Sequence, residues 1–387
     1  MYNFVLENPT KIIFGQDTIK QIGPEVSLFG KNVLLVYGSG SIVRNGIYDR
    51  VTASLGDACL HVTELNGIRS NPLLSDVRRG IDLAKNHSVD VVLAVGGGSV
   101  IDSAKAIAAG AVVDHNVWQF FRGKKGITNP LPVCTVLTLA ASGSEMNGGM
   151  VITNEQTSAK LGTGNKKLCP KVSILDPTAT FSVPANYTAY GAVDAIAHCL
   201  EFYFNAQLVN SPVQDRFIEG LIINIIEACN TLMLEPDNYE ARANIMWCAT
   251  MALNGWTAAG LGMVGFPMHM IEHSLSAYYD IAHGAGLSII IPAWMRWAQN
   301  SHTKKLAQFA ERVFQIHTGT SGSKAATGIE RLTDWFATVH CPIKLSHCSI
   351  DTNDITKLTE HSLIQAKIWR LKEYNPEIIE EILSLAS

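Results

Sequence analysis

The feature that most constrains this fold is a change of character at Pro184. Before it, short apolar runs alternate with helix-like stretches: residues 32–37 (NVLLVY), 60–65, 89–95 (VDVVLAV), 133–139 (VCTVLTL) and 172–175 (VSIL). Strands without a polar face, separated by helices, imply a parallel sheet covered on both sides. After Pro184 strand signals nearly vanish. Ser211-Pro212 and Asn375-Pro376 each set a capping residue before a proline at a first helical position. Residues 238–259, 285–300, 303–317 and 324–340 carry helical apolar spacing. The expected fold is an α/β N-terminal domain with a parallel sheet, residues 1–183, followed by an all-α C-terminal domain, residues 184–387, with a cleft between them.

Composition narrows the partner. With 387 residues and 47% of them hydrophobic, the chain can bury two cores. A formal charge of -4 gives no basic excess for nucleic acid or an anionic membrane, so a small molecule is the expected partner. The opening MYNFVLENPTKIIFG lacks the pattern of a secretory leader, and no run approaches the roughly 18 to 20 apolar residues of a membrane span. A cytoplasmic protein is expected. The eight cysteines form no CxxC pair and read as mostly buried, reduced thiols. Exposed edge strands near the N-terminus allow a homodimer.

Two glycine-rich turns leave strands of the first half. Residues 89–95 run into Gly96, Gly97, Gly98 and Ser99 and then a helical stretch, and residues 32–37 run into Gly38, Ser39, Gly40 and Ser41. At such turns backbone N–H groups close on phosphate oxygens, with the helix N-terminus adding partial positive charge. Neither turn fits GxGxxG, and either alone also reads as a tight connection. Both at the carboxyl ends of parallel strands point to a nucleotide phosphate. A third polar turn, residues 138–145, offers the hydroxyls of Thr138 and Ser142, either as helix caps or as ribose and phosphate contacts.

The second half carries four residues able to grip one divalent metal: Asp194 and His198 four apart, His269, and His283 in an Ala-His-Gly step. Singly, each histidine reads as a hydrogen-bonded core residue and Asp194 as a satisfied helix group. Together they differ. Asp194 and His198 share a helical face, as do His269 and His273, and Ala192, Val193, Ile196 and Leu200 surround the first pair. Polar groups on apolar faces need a strong partner, and a divalent ion is one.

These strings together resemble the iron-containing alcohol dehydrogenases: GGGSVID at 96–102, TLAASGSE at 138–145, the stretch from Pro184 through Ala189, Gly191, Asp194, Ala195 and His198 to Glu201, and His269-x3-His273-x9-His283-Gly284. The likeness spans essentially the whole chain and is nearest the branch of NADPH-dependent butanol dehydrogenases and broad aldehyde reductases. It implies a dinucleotide-binding α/β domain and a helical metal-binding domain in a dehydroquinate synthase-like architecture.

It also implies that Asp194, His198, His269 and His283 hold Fe(II) or Zn(II), and that His273 binds or relays a proton to the substrate oxygen. Gly96, Gly97, Gly98, Ser99 and Asp102 would line the cofactor's phosphates and nicotinamide end, with Thr138, Ser142 and Lys160 at its ribose and nicotinamide. Without the resemblance Lys160 reads as a solvated surface lysine. In NAD-preferring relatives a carboxylate often ends the first strand; here that place holds Gly38, then Ser39, Gly40 and Ser41, with Arg44 beyond. A turn with donors and no negative charge suits a 2'-phosphate, so NADP(H) is the expected cofactor. The implied reaction is hydride transfer between NADP(H) and an aldehyde or primary alcohol. Two other readings compete. A dehydroquinate synthase-like lyase would want several Lys and Arg beside the motifs, which are poor in them, and a non-enzymatic metal- or nucleotide-binding protein would want an added interaction domain or a broken ligand set.

Overall fold

The computed structural model describes residues 1–206 and 210–387. Eight strands form in the first half: β1 (Lys11–Phe14), β2 (Asn32–Gly38), β3 (His61–Ile68), β4 (Val91–Gly96), β5 (Val133–Leu137), β6 (Gly149–Asn154), β7 (Ala159–Gly164) and β8 (Val172–Leu175). Six make one parallel sheet in the order β1-β8-β5-β4-β2-β3, and β6 pairs antiparallel with β7. β4 and β5 are buried throughout, as strands covered on both faces must be. The strand expected to run to residue 139 stops at Leu137, with the Thr138 N–H making the last ladder bond, to the Gly96 carbonyl at 3.1 Å.

Helices α1 (Ile22–Ser27), α2 (Ser41–Arg44), α3 (Ile47–Asp57), α4 (Leu74–Asn86), α5 (Gly98–Gly110) and α6 (Trp118–Phe121) accompany the strands. One face of the sheet packs Val33, Leu35, Val91, Leu93, Val95, Cys134, Val136 and Ile174 against Ile19, Ile22, Val51 and Leu55. Each such side chain contributes about 1.5–3 kcal/mol by leaving water.

The remainder is helical: α7 (Ala185–Asn205), α8 (Pro212–Leu234), α9 (Tyr239–Ala252), α10 (Pro267–Tyr279), α11 (His283–Val313), α12 (Ser321–Thr338), α13 (Ile355–Trp369) and α14 (Pro376–Ser384). No strand follows β8 among the described residues. Asn375 caps α14 as its sequence predicts, its side chain accepting from the Ile378 N–H at 2.9 Å. Two expectations are corrected. The helices expected at 285–300 and 303–317 are one helix, α11, within which the Ser301 and Thr303 hydroxyls donate to the carbonyls of Ala298 and Gln299. The helix expected through 259 ends at Ala252, where turns with left-handed Gly255 and Gly260 begin.

Contrary to the expectation that no run nears membrane length, α8 is long and apolar enough to cross a membrane by length and composition. Its Ile218, Ile222, Ile225, Cys229 and Leu232 are instead buried in the helical core. Glu219, also buried, receives the Tyr203 hydroxyl at 2.6 Å and the Arg312 guanidinium at 3.0 Å.

The chain divides into two compact units. The sheet unit comprises Glu7–Val183 and Glu235–Thr250, and the helical unit comprises Met1–Leu6, Pro184–Leu234 and Met251–Ser387. Two segments therefore lie across the expected division at 183/184. Met1–Leu6 joins the helical unit because Tyr2 donates to the Gly260 carbonyl at 2.8 Å. Glu235–Thr250 joins the sheet unit because the Thr250 hydroxyl donates to buried Glu145 at 2.6 Å and Trp247 meets Phe14 edge-on.

Candidate functional site

In the helical unit, four ionisable side chains converge where apolar helices should exclude them. Asp194 and His198 lie one turn apart on α7, His269 lies on the first turn of α10, and His283 is the first residue of α11. The Asp194 Oδ1 is 3.7 Å from Nε2 of each of His198, His269 and His283. That is too long for a hydrogen bond and close to the roughly 3.4 Å that separates ligands around a tetrahedral ion with bonds of about 2.1 Å. Asp194 Oδ1 and His269 Nε2 are buried with no hydrogen-bond partner among the described residues, a cost that a cation at their common focus removes. Asp194, His198 and His269 present donor atoms within 4.8 Å of one another and fit a divalent metal, and His283 approaches that set through Asp194.

Burial alone would raise the Asp194 carboxyl, but His198, His269 and His283 outweigh it and hold it well below the usual carboxylate range. Burial pushes His198 down to about 3, helped by His269 and His283, despite the attraction of Asp194. His269 goes the other way: burial opposes its charge, yet Asp194 and Glu201 raise it to about 9.

Two carboxylates behind the cluster escaped the reading of the sequence as functional groups. Glu201 on α7, fully buried, accepts both the His269 Nδ1–H and the His269 backbone N–H at 2.9 Å. Glu272 on α10, also fully buried, accepts from Nδ1 of His283. A carboxylate can only accept, so both rings carry their proton on Nδ1 and present Nε2 to the centre. His198 differs, its buried Nδ1 meeting no hydrogen-bond partner among the described residues. The available signal was spacing: Glu201 lies seven residues beyond Asp194, on the same stripe of an apolar helix. His273, buried one turn beyond His269, stands with its ring centroid 5.5 Å from His283 and 5.6 Å from Trp369.

In the sheet unit, β5, β4 and β2 are neighbours with Tyr37 level with Val95 and Gly96 level with Leu137. Their parallel direction brings three turns to one sheet edge: Gly38, Ser39, Gly40 and Ser41; Gly96, Gly97, Gly98 and Ser99; and Thr138 with Ser142. Two of the turns are glycine-rich for stated reasons. Gly40 has φ 119°, and a Cβ on Gly98 would overlap the Ser142 hydroxyl. Ser41 and Gly98 begin α2 and α5, so the N-terminus of the 13-residue α5 faces this edge. The Ser99 hydroxyl donates to the Ser70 carbonyl. Asp102 is tied to protein: one oxygen accepts the Ser144 hydroxyl at 2.6 Å, the other the Val151 N–H at 2.8 Å. Lys160 is buried on β7 and donates to Asn71 at 3.2 Å, unlike the solvated lysine that sequence alone suggests.

A sequence profile described as iron-containing alcohol dehydrogenase matches residues 9–177, and one described as the C-terminal region of that family matches residues 188–387. The chain belongs to the iron-containing alcohol dehydrogenase family. Membership carries the reaction class, oxidation and reduction between alcohols and aldehydes. Among relatives, a probable NADH-dependent butanol dehydrogenase 1 of Bacillus subtilis is 42% identical, with 99% of each chain covered. The NADPH-dependent aldehyde reductase YqhD of Escherichia coli is 36% identical over 94% of this chain and 95% of that protein. The crystal structure of NADH-dependent butanol dehydrogenase A from Thermotoga maritima superposes with a TM-score of 0.96 at 43% identity, covering 100% of this chain and 99% of that one.

Proposed function

We propose that this family member is a metal-dependent, NADP(H)-linked oxidoreductase of aldehydes and primary alcohols, a butanol dehydrogenase or broad aldehyde reductase. The observation that carries the reading is the convergence of three imidazole Nε2 atoms on one buried Asp194 oxygen. Asp194, His198, His269 and His283 would hold Fe(II) or Zn(II), both suited to three imidazoles and a carboxylate. When bound, the ion supplies Lewis-acid polarisation of a carbonyl, and the nicotinamide supplies the reducing equivalent.

The chain's own groups do the rest. Asp194 and the two carboxylate-backed imidazoles hold their donor atoms in place before any ligand arrives, which lowers the cost of organising the site. His273, adjacent to His283, would move a proton to or from the substrate oxygen. Gly38, Ser39, Gly40, Ser41, Gly96, Gly97, Gly98 and Ser99 would receive the cofactor's phosphates on backbone N–H groups and hydroxyls, with Asp102 holding the nearby backbone, and Thr138, Ser142 and Lys160 at the ribose and nicotinamide.

Preference for the 2'-phosphate is supported by Arg44, whose Nη1 lies 3.4 Å from where a Cβ of Gly40 would stand. The names of the Bacillus and Thermotoga relatives favour NAD(H) as a second reading. Purified protein loaded with Fe(II) or Zn(II) and given butanal with NADPH or NADH tests both. Oxidation of neither cofactor rejects the activity, and a strong preference for NADH rejects the 2'-phosphate reading. Eight cysteines, six of them buried and none in a disulfide, support a cytoplasmic location. The edge position of β1 leaves room for a homodimer, which sedimentation would reveal.

A further inference from the structure

Of the four converging side chains, three are nearly closed to solvent and one is not. Asp194, His198 and His269 each keep 6% of their side-chain surface, whereas His283 keeps 27%. His283 also begins a helix, after a short connection containing left-handed Asp280, so its backbone is held from one side only. An ion held at this focus therefore has its weakest wall at His283.

What holds that wall is Glu272. Its Oε2 accepts from His283 Nδ1, and its Oε1 accepts the Ser276 hydroxyl one turn along α10. Its side chain also lies against Gly286, one turn into α11: a Cβ there would stand 2.5 Å from Oε1 and 2.7 Å from Cγ. Gly286 is not left-handed, so the absence of a side chain serves the space and not the backbone. Ser276, Gly286 and the ring of His283 thus hold one fully buried carboxylate from three directions.

We propose that Glu272 is a positioning residue for the metal. It keeps the Nδ1 proton on His283, directs Nε2 toward Asp194, and prevents the one exposed ligand from swinging away, so that it governs how long the ion stays. The proposal rests on the metal reading above. Glu272, His273 and His283 also present donor atoms within 4.8 Å of one another, so a direct ligand role for Glu272 in a second metal site is the rival to be excluded.

The test compares wild type with Glu272→Gln, Gly286→Ala and Ser276→Ala, each loaded with Zn(II) or Co(II). Gly286→Ala is decisive because it leaves every ligand and carboxylate in the sequence and displaces only the carboxylate's position. Readouts are ion affinity by chelator competition, the rate of loss into excess chelator, the Co(II) absorption spectrum, and the unfolding midpoint of the metal-free protein. Glu272→Gln and Gly286→Ala are expected to bind the ion about 10 to 100-fold more weakly, chiefly through faster loss, with Ser276→Ala in the same direction but smaller. Unchanged affinity and loss rate in Glu272→Gln and Gly286→Ala overturn the proposal, as does a wild type that binds two ions where Glu272→Gln binds one. A lowered unfolding midpoint with unchanged affinity assigns Glu272 a purely structural role and overturns it too. A wild type that binds no divalent ion overturns the metal reading itself, an outcome distinct from unchanged variants.

Discussion

The carbonyl oxygen of Tyr190 occupies the space that a Cβ on Gly284 would need. α7 and the start of α11 thus touch backbone to side chain-free backbone, immediately beside His283 and one turn before Asp194. Gly284→Ala should force the two helices apart at an overpacking cost of about 1–3 kcal/mol and move His283 off the common focus. Thermal unfolding together with metal content after dialysis checks this; a fully stable, metal-replete variant contradicts it.

Removing a donor should differ from removing its neighbour. His269→Ala or His283→Ala is expected to abolish both metal retention and turnover, while His273→Ala keeps the metal and slows turnover about 100-fold, the scale of one lost proton-transfer group. Metal analysis beside steady-state rates separates the two. A metal-replete, active His283→Ala protein would end the four-ligand reading.

Glu201 accepts two donors from His269, ring and backbone, without contact with solvent. Glu201→Leu leaves both donors unsatisfied, and the metal-free protein should lose about 1–3 kcal/mol of unfolding free energy, read by denaturant titration. Glu201→Gln retains an acceptor and should lose less.

The Gly38 to Ser41 turn has no carboxylate. Ser39→Asp is expected to lower kcat/KM with NADPH by roughly tenfold or more through repulsion of the 2'-phosphate, with a smaller change for NADH. Equal losses with both cofactors would mean that the turn does not face the adenosine ribose.

Lys105 in α5 is fully buried, its Nζ donating to the carbonyl and hydroxyl of Ser144 at 2.7 Å and the Gly149 carbonyl at 2.8 Å. Burial pushes its ammonium down to about 8, below the ordinary 10.5 of the unfolded chain. The folded protein therefore releases this proton first, so the group opposes folding below about pH 8 and the opposition fades as pH rises toward 10.5. Relative to Lys105→Met, wild type should gain on the order of 3 kcal/mol over that interval. Denaturant unfolding of both proteins across the range measures it, and a constant difference rejects it.

Legibility followed burial pattern and residue chemistry. β2, β4, β5 and β8 were readable because their side chains are apolar on both faces. β1 was missed: at the sheet edge only Ile12 and Ile13 of its four residues are partly covered. The β6–β7 hairpin was missed because Thr153, Asn154 and Lys160 are buried there as polar groups, which periodicity reads as loop. In the site, Asp194 and the histidines stood out because those residue types seldom crowd apolar helices. Glu201 and Glu272 did not, since a glutamate on a helix is ordinarily solvated and only tertiary packing shows that both are dry.

The exchange of residues 235–250 into the sheet unit has an evolutionary and practical corollary. A polypeptide cut after Val183 would keep the Glu145 carboxylate but lose the Thr250 hydroxyl that satisfies it and the Trp247 ring beside Phe14. The dinucleotide-type half is therefore not a transferable cassette: gene fusion or domain grafting at that point would import an unmet buried acid, and a donor helix resembling 235–250 would have to travel with it.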